Sequence, residues 1–226
     1  KLHFSFDGKP MTGFAGDTAA SAVLANGQRV FGRSFKYHRP RGVIGLGSEE
    51  MNALVGVGDG ARHEPNLRAT QVELFEGLSA TSQNRWPSLN FDIGIINNSF
   101  SRMIPGGFYY KPFMWPKSFW KHVYEPFIRR AAGLGKAPEG RDPDTYENIH
   151  VHCDVLVIGA GVAGLAAAET AAAAGAKVII ADENPRFGGL ADIAGGLIEG
   201  LPQTEWAAAK SQALADADNV HFLTRT

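Results

Sequence analysis

The sequence predicts two folds in one chain: an α+β domain of the β-grasp type, then the first half of an α/β, Rossmann-type dinucleotide-binding domain. Three observations carry this. Residues 2–25 read as a hairpin followed by a short helix. Residues 154–182 read as a strand, a glycine turn, a helix and a second strand, and the stretch between the two is broken by Pro and Gly. The expected boundaries are 1–95 for the β-grasp domain, 96–150 for an aromatic-rich connector and linker, and 151–226 for an incomplete dinucleotide fold.

Each element has a local reason. Leu2, Phe4 and Phe6 alternate with polar neighbours, Asp7-Gly8 is a favoured two-residue turn, and Met11, Gly13 and Phe14 continue on the return strand. Gly16-Asp17-Thr18 supplies capping residues for a helix over Ala19 to Ala25, which Asn26-Gly27 stops. Arg29 to Phe35 and Ala53 to Val57 are candidates for further strands.

Composition limits the function classes. With 44% hydrophobic and 20% charged residues, the 226-residue chain is globular in type, and no stretch reads as a membrane span or a secretory signal. A cytoplasmic protein is expected. The single cysteine, Cys153, excludes an intramolecular disulfide and a cysteine-held metal or cluster built from this chain alone. His150 and His152 lie beside it at the entry to a buried strand, where such residues are structural, and no metal site is expected. Residues up to His150 carry a net +4 and the rest a net −5, a split that marks two units of different character.

Between Thr18 and Ser48 there is no acidic residue, while Arg29, Arg33, Lys36, His38, Arg39 and Arg41 fall within thirteen positions. Three readings stand open: a solvated basic loop, a site for an anionic cofactor or partner subunit, and nucleic acid, the last disfavoured because only Phe35 and Tyr37 interleave the charges. From Phe108 to Phe127 nine of twenty residues are aromatic, but Pro112, Pro116 and Pro126 break the run. The stretch is expected to be a connector, with core packing and an inter-subunit contact both open. Gly133 to Asp144 reads as a linker.

The dinucleotide signal is specific because of its context. The apolar strand Asp154 to Ile158 runs into Gly159-Ala160-Gly161-Val162-Ala163-Gly164, then an Ala-rich helix, Gly175, and the strand Lys177 to Ala181, closing at Asp182-Glu183. Gly159 permits the tight turn, Gly161 lets backbone approach a pyrophosphate, and Gly164 lets the helix pack on the sheet, with Ala168 extending that contact. Backbone N–H groups near Ala163 point at the phosphates. Asp182 is expected to accept from the adenosine ribose hydroxyls and to repel a 2′-phosphate. Gly188-Gly189-Leu190 follows as a backbone turn close to the cofactor, and Arg186 faces either a phosphate or solvent. NAD and FAD both satisfy these rules. A helix from about Pro202 to Ala215 and a strand over Val220 to Leu223 complete three strands of a sheet that normally has more, so the chain is expected to be a piece of a longer protein.

Longer strings of unusual residues carry a family resemblance. Gly32-Arg33-Ser34-Phe35-Lys36-Tyr37-His38-Arg39-Pro40-Arg41-Gly42, Gly47-Ser48-Glu49-Glu50, Ala80-Thr81-Ser82-Gln83-Asn84-Arg85-Trp86-Pro87-Ser88, Gly106-Gly107-Phe108-Tyr109-Tyr110-Lys111 and Phe113-Met114-Trp115-Pro116 make the chain resemble the N-terminal region of the α subunits of heterotetrameric sarcosine oxidases. The resemblance implies a complex with β, γ and δ subunits that oxidatively demethylates sarcosine to glycine, forms hydrogen peroxide and passes the one-carbon unit to tetrahydrofolate. It implies FAD on the β subunit, FMN at the α/β boundary, a folate site in a later part of α, and NAD on the present segment. By resemblance NAD contacts fall at Gly159, Gly161, Ala163, Gly164, Asp182 and Glu183, and at Asn184, Gly189 and Leu190; no catalytic residue is expected. The first domain resembles ferredoxin-type β-grasp domains that carry a cluster in related amine and opine dehydrogenases, but it has no cysteine. Two further readings are a subunit of such a dehydrogenase and a non-catalytic dinucleotide-binding subunit.

Overall fold

In the computed structural model, which describes residues 1–102, 104, 106, 107, 112–132, 135 and 137–226, strand β1 (Leu2–Phe6) turns back into β2 (Lys9–Gly13) with Phe6 opposite Lys9. Asp7 and Gly8 both take positive φ, 50° and 74°, the conformation a two-residue hairpin turn needs. Helix α1 (Ala19–Ala25) begins at Thr18, whose side chain and that of Ser21 form a reciprocal capping box. Its buried residues Ala19, Ala20, Ala22 and Val23 face a core that includes Phe4, Phe6 and Phe31. Each buried Phe contributes about 1.5–3 kcal/mol.

Strands β3 (Gly32–Arg33) and β4 (Pro40–Arg41) form a separate short pair, so the expected strand over Arg29 to Phe35 is only two residues long. Strands β5 (Leu54–Val57), β6 (Glu64–Arg68) and β7 (Ser79–Ser82) join the hairpin in one sheet of order β2-β1-β7-β5-β6. Here β7 runs parallel to β1, and β5 pairs antiparallel with both β6 and β7. This is the topology expected of a β-grasp. Asp7 fixes the placement of β7: its carboxylate accepts from Ser82 N–H at 2.8 Å and Ser82 Oγ at 2.6 Å, and pairs with Arg85 Nη2 at 2.8 Å.

Much of the basic stretch has partners within the chain. Arg33 donates to the carbonyls of His38 and Leu89, and His38 Nδ1 lies 2.7 Å from Asp92 Oδ2, both side chains being buried. Arg39 donates to Asn98 Oδ1 and Arg41 to Asn52 Oδ1.

Beyond the short helix α2 (Ile96–Ser99), a π-helical turn over Trp120–Tyr124 leads into α3 (Glu125–Ala132). Within the aromatic segment Phe113 and Phe119 pack on Tyr124, whose hydroxyl donates to the Trp115 carbonyl. Trp115 and Phe127 stand 81% and 68% exposed, so core packing does not account for them. Phe108, Tyr109 and Tyr110 of that stretch, with Pro105, Lys111 and Gly133, lie outside the described residues. Of residues 96–150, expected as connector and linker, 96–144 group with the first of two units, Lys1–Asp144, and 145–150 with the second, Thr145–Thr226.

In the second unit β8 (Val155–Ile158), α4 (Val162–Ala173) and β9 (Val178–Asp182) follow in the expected order. A small hairpin of β10 (Leu197–Ile198) and β11 (Leu201–Pro202) precedes α5 (Gln203–Ala215) and β12 (Val220–Thr224). The sheet is parallel throughout, in the order β12-β9-β8, with Val178 central between Val155 and Val220. Its core joins Val157, Leu165, Ala168, Ile180 and Trp206, and Phe187 sets its ring edge-on to Phe222 at 4.5 Å. Among the described residues no helix is long and apolar enough to cross a membrane.

Candidate functional site

The site is built at the end of β8, where the chain must leave the sheet and start a helix within a few residues. Gly159 does this with φ 91°, a left-handed conformation that a side chain disfavours, and its N–H is held by the Ala181 carbonyl at 2.8 Å. Gly164 sits where α4 presses on the strand: a Cβ there would fall on the carbonyl oxygen of Gly159 and come within 3.3 Å of Val157. Ala168, one turn further, is fully buried.

Gly161 differs in kind. Its φ is −71°, open to any residue, and a Cβ built on it meets nothing within 4 Å. The space is therefore external, at the N-terminus of α4, where Gly161 is the cap and provides no side chain to the first-turn N–H groups. Such donors and the helix dipole favour negative charge at this end of α4.

Gly188 and Gly189 form the opposite lip. The Gly188 N–H donates to the Ala160 carbonyl at 2.8 Å, and a Cβ on Gly189, whose φ is 55°, would lie 3.1 Å from the Gly161 Cα. Leu190 follows, 45% exposed. The glycine pair, expected close to the cofactor, thus packs its backbone against the first glycine turn.

Asp182 has a different set of partners from the one expected. It is 7% exposed; Oδ2 accepts the Ala160 N–H at 2.6 Å, and Oδ1 accepts both the backbone and side-chain N–H of Asn184 at 2.8 Å. The carboxylate ties the glycine turn to the end of β9 from inside, and takes Asn184 with it. Glu183, one residue on, is exposed, as is Arg186. Ala163 stands in the first turn of α4. His150 and His152 are exposed and Cys153 is half-buried, in a stretch without helix or strand. The Ala160 and Gly188 backbone contacts were not legible in the residue pattern, because nothing in an alanine or a glycine announces which carbonyl its N–H will meet.

The family described as FAD binding domain matches residues 154–221, and the family described as 2Fe-2S iron-sulfur cluster binding domain matches residues 1–85. The first fits: the open flank of Gly161 and the helix N-terminus behind it suit the pyrophosphate that FAD and NAD share. The second does not fit in its metal. Such clusters are held by cysteine thiolates, and residues 1–85 contain none.

The chain is 58% identical to the sarcosine oxidase alpha subunit of Rhizobium meliloti (strain 1021), over 100% of this chain and 23% of that protein. It is 36% identical to the sarcosine oxidase alpha subunit of Corynebacterium sp. (strain U-96), again over 100% of this chain and 19% of that one. The chain thus spans less than a quarter of the length of these relatives. Its fold is like that in the crystal structure of L-proline dehydrogenase from P. horikoshii, with a TM-score of 0.55 at 18% identity, covering 99% of this chain and 33% of the other. Along its whole length the chain is a relative of the sarcosine oxidase alpha subunits and matches a segment of them.

Proposed function

We propose that this chain is the nucleotide-binding part of a sarcosine oxidase α subunit, and that residues 159–190, a Rossmann-type half-site, hold the ADP half of NAD. The observation that carries the reading is the open flank of Gly161 at the N-terminus of α4, with Gly189 as its opposite lip. The first-turn N–H groups of α4, near Ala163 and Gly164, take the pyrophosphate. Glu183, exposed beside the buried Asp182, takes the ribose hydroxyls and repels a 2′-phosphate. Asp182 and Asn184 hold the turn in shape from beneath. Leu190 covers the edge of the site.

When bound, the nicotinamide of NAD or the ring of FAD is the group able to accept a hydride; this chain's residues bind and orient the ADP half. The surrounding complex, with β, γ and δ subunits, FAD and FMN, oxidatively demethylates sarcosine to glycine, passing the N-methyl carbon to tetrahydrofolate, with reduction of oxygen to hydrogen peroxide. Support comes from the similarity to sarcosine oxidase α subunits over the whole chain, against a similarity to an opine oxidase chain of Rhizobium meliloti that covers 22% of it. The match to a FAD-binding family leaves NAD and FAD sharing the same turn. Denaturing the purified complex and weighing the released nucleotides by mass spectrometry distinguishes them. In Gly161→Ala, loss of NAD with FAD retained supports the assignment, and loss of FAD with NAD retained transfers the site to FAD.

A further inference from the structure

A domain matched by an iron–sulfur family, yet without a cysteine, raises the question of what fills the place of the cluster. Glu50 is 1% exposed, among the most buried large side chains of the chain. Its Oε2 accepts the N–H groups of Ile44 at 2.7 Å and Gly45 at 2.8 Å, and its Oε1 those of Asn52 at 2.6 Å and Ala53 at 2.9 Å. Four backbone donors converge on one carboxylate from the two ends of a ten-residue loop. Burial pushes the Glu50 carboxyl up, and the four N–H donors outweigh it and hold it below the ordinary glutamate range.

The loop is built to keep these donors aimed inward. The Thr70 hydroxyl donates to the Gly47 carbonyl at 2.7 Å, and Arg68 Nε donates to the backbone carbonyl of Glu50 at 3.0 Å. At Gly45 a Cβ would lie 2.8 Å from the Glu49 carbonyl oxygen, so the loop closes tightly on itself. Converging backbone N–H groups of this kind form anion nests, which iron–sulfur sites also use. The C-x4-C-x2-C run that wraps a plant-type cluster spans about nine residues, close to the length of this loop.

We propose that residues 44–53 form an anion nest for a carboxylate-sized anion, occupied by the chain's own Glu50 where cluster-bearing domains of this type hold an anionic metal centre. The domain is then a structural module organised around an internal anion, and the nest becomes a binding site for small carboxylates once that side chain is removed.

The test uses the full-length protein and sodium formate. Glu50→Ala is expected to lower the melting temperature of the first unit by about 5 °C or more. Formate is expected to recover most of that loss in a saturable way, relative to sodium chloride at equal ionic strength, while leaving the wild-type melting temperature in place. Glu50→Leu, which fills the nest with apolar atoms, is expected to be destabilised without rescue. An unchanged melting temperature in Glu50→Ala, or formate shifting wild type and variant alike, overturns the proposal. Hydrogen exchange on the wild-type protein stands independently of any variant. The amides of Ile44, Gly45, Asn52 and Ala53 are expected to be protected at neutral pH, and exchange at open-loop rates contradicts the nest.

Discussion

The Ala160 N–H donates to Asp182 Oδ2 over 2.6 Å, and this bond joins the glycine turn after β8 to the last residue of β9. It gives the acidic residue at the end of the second strand a structural role, tying the glycine turn to β9. Its neighbour Glu183 is exposed, so the two adjacent carboxylates stand in different surroundings.

Replacing the two carboxylates therefore has distinguishable effects. Asp182→Ala leaves the Ala160 and Asn184 N–H groups without their acceptor and is expected to cost about 1–3 kcal/mol of stability, read in urea unfolding of the full-length protein. Glu183→Ala is expected to reduce NAD retention on gel filtration. If Asp182→Ala matched wild type in stability but lost NAD, the ribose role would return to Asp182.

Two glycines of one motif are expected to fail in opposite ways. Gly164→Ala puts a methyl on the Gly159 carbonyl and is expected to destabilise the second unit by about 3 kcal/mol, at the upper end of overpacking costs. Gly161→Ala adds its methyl to open space at an ordinary φ, so stability should stay within about 1 kcal/mol of wild type. Calorimetry on both variants checks the contrast.

Acid should loosen the first unit through two carboxylates. Burial pushes the Asp7 carboxyl up, but its bonds to Arg85 and Ser82 outweigh this and hold it below the ordinary range, as four N–H groups do for Glu50. A lowered folded pKa gives stabilisation that is complete above the ordinary carboxylate value, about 4, and is lost as pH falls through the folded value. Melting temperature is expected to be level from neutral pH to about 5 and to decline below about 4. Asp7→Asn and Glu50→Gln should each flatten that decline; a variant whose profile overlays the wild type shows that its carboxylate does not contribute.

How much of this was legible in the sequence depends on how local each cause is. The Asp7-Gly8 turn, helix Ala19–Ala25 with its Thr18 cap, and the strand–turn–helix run into α4 are set by neighbouring residues, and the structure has them at the expected positions. Strand β7 was not legible: Ser79 to Ser82 is a short polar run whose place beside β1 depends on Asp7, seventy-five residues away from Ser82. Strand β6 holds Pro65, and Asn66 at φ 63°, both contrary to a strand pattern. Glu50 was hidden for a thermodynamic reason. A lone glutamate reads as solvated, and only the assembled loop provides the four N–H donors that hold its charge inside.

The most direct measurement is the NAD content of the purified full-length complex, counted per α chain, for wild type and Gly161→Ala side by side. About one NAD per wild-type α chain is expected, and little in the variant despite an unchanged melting temperature. NAD at the wild-type level in Gly161→Ala would contradict the assignment.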